Sequence, residues 1–172
     1  MNTLTDSVPA LGRRDYEFSD ASAPIQSGWA EVTADSAIET QAIFRNAAPS
    51  GAYYEAAVPT GTAYSHFLVP FDTTTLTSTG RPLYTAIAIV NLNPLGAAHV
   101  ACSARDASGA EIPNAITIPA LKPQGHYAAY LSGPLAGKRG TLECNSDTLV
   151  SAIALRLIGD EAISTLPVIL TD

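Results

Sequence analysis

The chain has 172 residues, of which 47% are hydrophobic, and its 9 Lys and Arg against 16 Asp and Glu give a net charge of −7. This size suits one domain or two small ones with their own core, and the thinly spread acidity argues against nucleic-acid binding, which needs a concentrated positive face. The first residues lack a basic and an apolar signal region and no apolar run has membrane-spanning length, so neither an export signal nor a membrane span is predicted.

Short runs rich in β-branched and aromatic residues, bounded by Gly, Pro, Asn and Asp, predict an all-β antiparallel chain of about ten to eleven strands. None of these runs has apolar residues at the i, i+3, i+4, i+7 spacing of a surface helix. In chain order the predicted strands are Trp29–Thr33, Ile38–Arg45, Tyr53–Val58, Tyr64–Phe71, Tyr84–Asn91, Ala98–Arg105, Ala115–Ile118, His126–Leu131, Gly140–Asn145, Val150–Leu157 and Ile163–Ile169.

The sequence contains an internal repeat with a period close to the size of an immunoglobulin-like domain. A glycine, a glutamate, an aspartate and an arginine recur in the same order: Gly28, Glu31, Asp35 and Arg45, then Gly140, Glu143, Asp147 and Arg156. Residues 63–112 have no equivalent in the first copy. We therefore predict a partial β-sandwich repeat over residues 1–59, the trailing half of a unit, and a complete unit over residues 60–172.

Several repeated polar residues are predicted to shape turns between strands. Asp35-Ser36 and Asp147-Thr148 each fall between two predicted strands, where short polar side chains bond to the local backbone. Residues 106–111 have the oxygen spacing of a weak calcium loop, but Asp in the first and Gly in the fourth position favour a hairpin turn.

The two repeated arginines are predicted to have a structural role. Arg45 and Arg156 each lie near the end of an apolar strand, where an arginine can pair with a backbone carbonyl or a carboxylate. Glu31 and Glu143 are the repeated candidate partners, and such pairing would fix the register of each hairpin.

Both cysteines are predicted to face inward, because Cys102 and Cys144 fall on the apolar side of alternating strands. They fit a disulfide, with two buried thiols as the alternative. A bond would close a loop of about 43 residues and stabilise the fold by ~4 kcal/mol on the chain-entropy model. It would also imply an oxidising compartment.

The residues predict no catalytic, cofactor or metal site. No Gly-x-Ser-x-Gly elbow is present, and His66, His99 and His126 do not stand in a metal-binding spacing. We therefore predict that the chain is not an enzyme.

Aromatic residues give an alternative function. Trp29, Tyr53 and Tyr54 could form a platform on which a glycan stacks, since aromatic faces bind the apolar faces of sugars. A carbohydrate-binding β-sandwich module is therefore the alternative prediction.

A succession of motifs runs through nearly the whole chain: Gly28-Trp29-Ala30-Glu31-Val32 to Ala42-Ile43-Phe44-Arg45, Tyr54-Glu55-Ala56-Ala57-Val58-Pro59, Phe67-Leu68-Val69-Pro70-Phe71-Asp72, Ala86-Ile87-Ala88-Ile89-Val90-Asn91, Arg139-Gly140-Thr141-Leu142-Glu143, and Ala154-Leu155-Arg156 to Thr165-Leu166-Pro167-Val168. It resembles a tandem immunoglobulin-like β-sandwich repeat of large secreted or surface-exposed bacterial proteins. The resemblance implies an exported, non-enzymatic structural or adhesive module without a cofactor. The chain departs from the pattern in its missing export signal and its shortened first unit, which fits a fragment of a longer protein or a member shortened for assembly.

Half a sandwich leaves unpaired strand edges and an uncovered apolar face. Either the first copy folds onto the complete unit as extra strands of a larger sandwich, or a neighbouring chain supplies strands and gives an oligomer or fibre. The predicted partners are therefore another copy of the chain or a neighbouring repeat domain, with a glycan in the alternative function.

Overall fold

The structure is a computed structural model that describes residues 3–18, 28–47, 51–76, 78–159 and 162–171. Within these ranges the fold is all-β, and every pair of strands is antiparallel. The strands are β1 (Gln41–Ala47), β2 (Tyr53–Pro59), β3 (Tyr64–Asp72), β4 (Leu83–Asn91), β5 (Val100–Asp106), β6 (Glu111–Ile112), β7 (His126–Tyr130), β8 (Arg139–Ile158), β9 (Ala162–Leu166) and β10 (Ile169–Leu170). One turn of 3-10 helix, Gly133–Leu135, follows β7.

Strand β8 organises the body because two groups of strands share it. Its first half, residues 139–146, pairs with β3 on one side and β5 on the other, while β10 and β6 extend this group. Its second half, residues 150–158, pairs with β4 and β9, and β4 pairs with β7. Even-numbered residues face inward in both halves, as the complete burial of Leu142 and Val150 shows. The two groups therefore enclose one hydrophobic core in a sandwich-like fold.

The core consists of inward-facing side chains from both groups of strands. Phe67 and Val69 of β3, Ile87 and Ile89 of β4, and Leu142 of β8 are almost completely buried. Burying an apolar side chain of this size stabilises a fold by roughly 1.5–3 kcal/mol. The main core cluster and the side chains packed against it lie between residues 64 and 168.

The predicted disulfide is confirmed. Cys102 of β5 and Cys144 of β8 are directly opposite each other in adjacent antiparallel strands, with a Cα–Cα distance of 4.1 Å. The Cys144 side chain is completely buried, and Cys102 is half-buried against the core. The prediction from the alternation of inward and outward residues, that both cysteines face the core, is therefore correct.

Some predicted strands are wrong, although the all-β prediction is confirmed. Trp29–Thr33 and Ala115–Ile118 form no strand, and the segment predicted as Ile163–Ile169 is divided between β9 and β10. Most side chains of the first segment are exposed, and no described strand pairs with it. The second segment packs Ala115 and Ile116 against the core without forming a ladder.

The turn predicted at Asp147-Thr148 is also wrong, because these residues lie inside β8. The Asp147 carboxylate accepts hydrogen bonds from the backbone N–H and the ring Nδ1 of His99, at 2.9 and 2.7 Å. Bonding across the sheet therefore replaces the local turn. In the first copy Asp35-Ser36 does form a bend.

The hairpin turn predicted after Asp106 is confirmed. Asp106 Oδ1 accepts hydrogen bonds from the backbone N–H groups of Ser108 and Ala110, at 2.8 and 3.1 Å. Gly109 adopts a positive φ of 87°, which glycine tolerates without strain. These hydrogen bonds stabilise the turn that joins β5 to β6, which accounts for the polar residues of this segment.

The repeated glycines Gly28 and Gly140 provide a matched test of how closely β8 packs against β5. A Cβ atom at Gly140 would overlap the backbone carbonyl of Arg105 in β5, whereas nothing lies within 4 Å of a Cβ at Gly28. We expect Gly140→Ala to lower the free energy of unfolding by about 2–3 kcal/mol, as overpacking does. Gly28→Ala should change it by less than about 0.5 kcal/mol. Urea denaturation of both variants measures this difference, and equal stabilities would contradict it.

Candidate functional site

Strands β1 and β2 form a two-stranded sheet of their own, called here the N-terminal hairpin. Arg45 in β1 is opposite Glu55 in β2. The second copy has an antiparallel hairpin in the corresponding place, in which Arg156 of β8 is opposite Ser164 of β9. The repeated arginines therefore lie in the first strands of two matching hairpins.

The two hairpins differ in what lies on their other side. The second half of β8 pairs with β4 as well as with β9. In the described part of the chain, β1 pairs with β2 alone. Ile43 and Phe44 in β1 are 55% and 41% exposed. The first copy therefore presents an unpaired edge and apolar side chains where the second copy has a complete sheet.

The N-terminal hairpin contacts the body through β2. The Thr165 hydroxyl in β9 donates a hydrogen bond of 2.6 Å to the Ala57 carbonyl, and Ala56 and Val58 are buried. Thus β2 lies beside β9 without joining its sheet, and β1 lies farther away. The division of the chain into residues 1–59 and 60–172 stays a prediction.

Arg45 does not pair with Glu31, so this predicted pairing is wrong. Its Nε lies 2.6 Å from Glu55 Oε1, and its guanidinium lies 5.8 Å from the centre of the Tyr53 ring. The hydrogen bond to Glu55 raises the pKa of Arg45. Because both side chains are about half exposed, this pair fixes register more than it adds stability.

Arg156 and Glu143 are not partners either. Glu143 Oε1 lies 2.9 Å from His66 Nε2 on the neighbouring strand β3. The Nε atom of Arg156 is instead buried and has no hydrogen-bond partner among the residues that the structure describes. Glu31 is exposed. The repeat therefore preserves the position of the arginines in the hairpins but not their bonding.

Residues 3–18, called here the arm, precede the hairpin and contain no helix or strand; they turn back at Ala10 and Leu11, where the backbone N–H of Gly12 donates to the Pro9 carbonyl at 2.8 Å. Asp6 organises it, because the Tyr16 hydroxyl donates a 2.8 Å hydrogen bond to its carboxylate and Arg14 lies 3.5 Å away. A backbone hydrogen bond from Ser7 and the one from Tyr16 lower the pKa of Asp6. Phe18, at the end of the arm, is 87% exposed.

The same motif is buried in one copy and exposed in the other. Residues 8–11, Val-Pro-Ala-Leu, match residues 118–121, Ile-Pro-Ala-Leu, in the complete unit. Leu121 is 3% exposed and Ile118 packs against the core, whereas Val8 and Leu11 are exposed. The arm therefore has the same apolar residues as a segment that packs against the core in the second copy, but in the arm these side chains are exposed.

Among the described strands, β7 is the last of the group β9–β8–β4–β7. Leu131 N donates to Thr85 O and Asn91 N donates to Gly125 O, so odd-numbered residues of this segment bond to β4. The backbone groups of Ala128 and Tyr130 consequently point away from β4. Sequence reasoning missed this edge, although a strand without Lys or Pro lacks the usual protection against pairing.

A groove of about 240 Å³ lies beside this edge. One wall is formed by residues 114–117 and the other by Tyr127, Tyr130 and residues 131–134. The side chains that line it carry no charge, and Tyr130 is 59% exposed. The groove therefore suits an uncharged or apolar side chain from an added strand.

The three aromatic residues of the predicted glycan platform, Trp29, Tyr53 and Tyr54, do not stack on one another in the structure. Trp29 donates its indole N–H to the Gln124 carbonyl at 2.9 Å, and Tyr53 lies under Arg45. Tyr54, next to it in β2, is half-buried. The ring–ring contacts between described residues are elsewhere, namely Tyr64–Phe67 and Tyr84–Tyr130.

The described residues also include polar pairs that resemble parts of chemical sites. His99 and Asp147 form an exposed pair, in which hydrogen bonds from His99 lower the pKa of Asp147. In the described ranges no three His, Cys, Asp or Glu side chains gather where they could hold a metal ion. No helix in those ranges is long and apolar enough to cross a membrane.

Comparisons with known protein families, with curated proteins and with solved structures found no match.

Proposed function

We propose that the chain is a non-enzymatic structural or adhesive module of an extracellular bacterial protein, which assembles through β-strand complementation. In this proposal its repeat unit is an immunoglobulin-like β-sandwich, and the N-terminal half unit is completed by another molecule. One observation carries the proposal: among the described residues, β1 has no strand on its second edge, at the position where the matching strand β8 pairs with β4. An unpaired edge is a template for a strand of another chain.

Further features of the N-terminal half support the same function. The arm and the N-terminal hairpin expose large apolar side chains, including Leu11, Phe18 and Ile43. Apolar residues concentrated in one region of a surface mark an interaction site. The Cys102–Cys144 disulfide is compatible with an oxidising, extracellular location.

We expect the full chain to form oligomers whose size increases with concentration, as light scattering coupled to size-exclusion chromatography will measure. A chain of residues 60–172 should remain folded and monomeric, because it retains the main core cluster but lacks the half unit. Circular dichroism provides the folding control. A full chain that is monomeric at all concentrations, or a truncated chain that assembles equally well, would contradict the proposed function.

A further inference from the structure

We propose that β1 of one chain pairs with β1 of a second copy in antiparallel orientation, with Phe44 of one chain directly opposite Phe44 of the other. This inference rests on the proposed function and names the partner of the β1 edge. The second β1 would take the place beside β1 that β4 takes beside the matching half of β8.

The second edge of β1 presents backbone groups that can bond to a further strand. Pro59 in β2 has no N–H group, so it cannot exchange a pair of hydrogen bonds with Gln41, which lies opposite it. Hydrogen-bonded and non-hydrogen-bonded pairs alternate along an antiparallel ladder, so Ile43 and Arg45 also belong to non-hydrogen-bonded pairs. Their N–H and C=O groups therefore point away from β2. In the described ranges no backbone hydrogen bond joins the arm to β1.

Two antiparallel β1 strands fit each other in one register that overlaps all seven residues. Because Ile43 and Arg45 carry the outward backbone groups, this register joins Ile43 of each chain to Arg45 of the other by hydrogen bonds. Shifting the strands so that the two Arg45 side chains lie opposite each other would shorten the overlap and place like charges together, which destabilises a sheet. The strand is therefore complementary to itself, which favours a second copy as its partner.

The apolar side chains of β1 gain contacts in this register. Ile43 and Phe44 are 55% and 41% exposed. Phe44 falls in a non-hydrogen-bonded pair, where opposite side chains are closest, so the two aromatic rings can pack across the strands. Ile43 would cover the aliphatic part of the opposite Arg45. Pairing therefore removes apolar surface from water.

The charges at this edge are compatible with pairing of two copies. The net charge of −7 would oppose association through an acidic surface. Strand β1 instead carries a single charged residue, Arg45, whose Nε lies 2.6 Å from Glu55 of the same chain. Each arginine thus brings its own carboxylate, and pairing separates no ion pair.

The resulting contact is isologous, because both chains contribute the same strand. The two hairpins, each a two-stranded sheet, would form one continuous sheet in the order β2–β1–β1–β2. A two-stranded sheet gains stability when further strands are added to it. An isologous contact closes after two copies, so this surface gives a dimer whose share increases with concentration.

Opposite charges at position 44 test both the pairing and its register. Phe44→Lys and Phe44→Glu should each weaken self-association of the full chain about tenfold, because like charges then replace the aromatic pair. An equimolar mixture of the two variants should associate about tenfold more tightly than either alone, since each lysine then lies opposite a glutamate. Sedimentation equilibrium measures these constants, and thermal unfolding checks that the variants remain folded.

Leu95 provides the control position, because it is 90% exposed on the loop after β4. Leu95→Lys and Leu95→Glu should each change the dissociation constant by less than about twofold, and mixing them should have no effect.

Cysteine crosslinking tests the same register. The two native cysteines are bonded to each other, so an introduced cysteine is the free thiol. Phe44→Cys should form a disulfide-linked dimer under mild oxidation, because directly opposite strand residues are close enough to bond, as Cys102 and Cys144 are. Ile43→Cys should not, because it is diagonal to Ile43 of the second copy, about 7–8 Å away.

The outcomes separate this inference from the proposed function. A restored association in the mixture of charged variants, together with the Phe44→Cys dimer, would support the inference. Oligomers of the parent chain that form without this crosslink, and charged variants that mixing does not restore, would overturn the inference and leave the proposed function intact. A parent chain that is monomeric at all concentrations would remove both.

Discussion

Asn91→Asp is expected to lower the free energy of unfolding by about 5 kcal/mol, because it removes a buried amide that bonds to three carbonyl groups. The Asn91 side chain is completely buried at the end of β4. Its Nδ2 donates to the carbonyls of Gly96, Leu121 and Lys122 at 2.8, 3.2 and 3.0 Å. An aspartate would remove these three bonds and place a buried carboxylate against the three carbonyl oxygens. The carbonyls of Leu121 and Lys122 would keep the backbone N–H groups of Ala98 and Gly125 as donors, so the repulsion by the carboxylate causes most of the loss. Equilibrium denaturation in urea measures the loss.

Asn93 provides the matched control in the same loop. Its Oδ1 accepts hydrogen bonds from the backbone N–H groups of Leu95 and Gly96, at 2.9 and 3.1 Å. A carboxylate accepts both bonds equally well, so Asn93→Asp should change stability by less than about 0.5 kcal/mol. Equal losses in the two variants would show that Asn91 does not join the loop to the strand in the way described.

Strands with strong alternation could be predicted from the sequence because burial alone fixes them. Tyr64–Phe71 and Tyr84–Asn91 match β3 and β4 to within one residue at either end. In both, residues that face the core alternate with less buried ones. The same alternation predicted that both cysteines face the core, because the side on which a strand residue lies follows from the local sequence.

The predictions that were wrong concern residues whose contacts depend on long-range strand pairing, which cannot be read from the local sequence. Asp147-Thr148 has the composition of a turn, yet inward-facing residues continue at even positions and His99 satisfies the Asp147 carboxylate. Arg45 bonds to Glu55 because the register of β1 and β2 places them opposite each other. A repeat marks equivalent positions but does not identify the residue across the strand.

The candidate assembly surfaces were predicted only in part. The shortened first unit predicted an unpaired edge, and β1 shows one among the described residues. The β7 edge could not be identified, because the sequence of His126–Leu131 predicts a strand without showing on which side β4 lies. The groove likewise needs residues 114–117 and 131–134 to come together, which only the fold determines.

Removing the disulfide with the double variant Cys102→Ala, Cys144→Ala is expected to lower the free energy of unfolding by ~4 kcal/mol. The bond joins residues 42 positions apart and so restricts the unfolded chain, while the folded strands are already held by their ladder. Guanidinium denaturation of the double variant and of the oxidised parent chain measures the difference. A loss smaller than about 1 kcal/mol would show that the bond adds little to the β5–β8 pairing.

The reduced parent chain separates the covalent constraint from packing. Reduction breaks the bond but keeps both sulfur atoms, whereas the double variant also leaves a gap beside the completely buried Cys144. If the constraint on the unfolded chain dominates, the two forms will have similar stability, well below that of the oxidised chain. If packing dominates, the reduced chain will remain close to the oxidised one, because a buried thiol fills the site as a small apolar group. The first result would make the stability of the body depend on an oxidising environment, which is compatible with the proposed extracellular function.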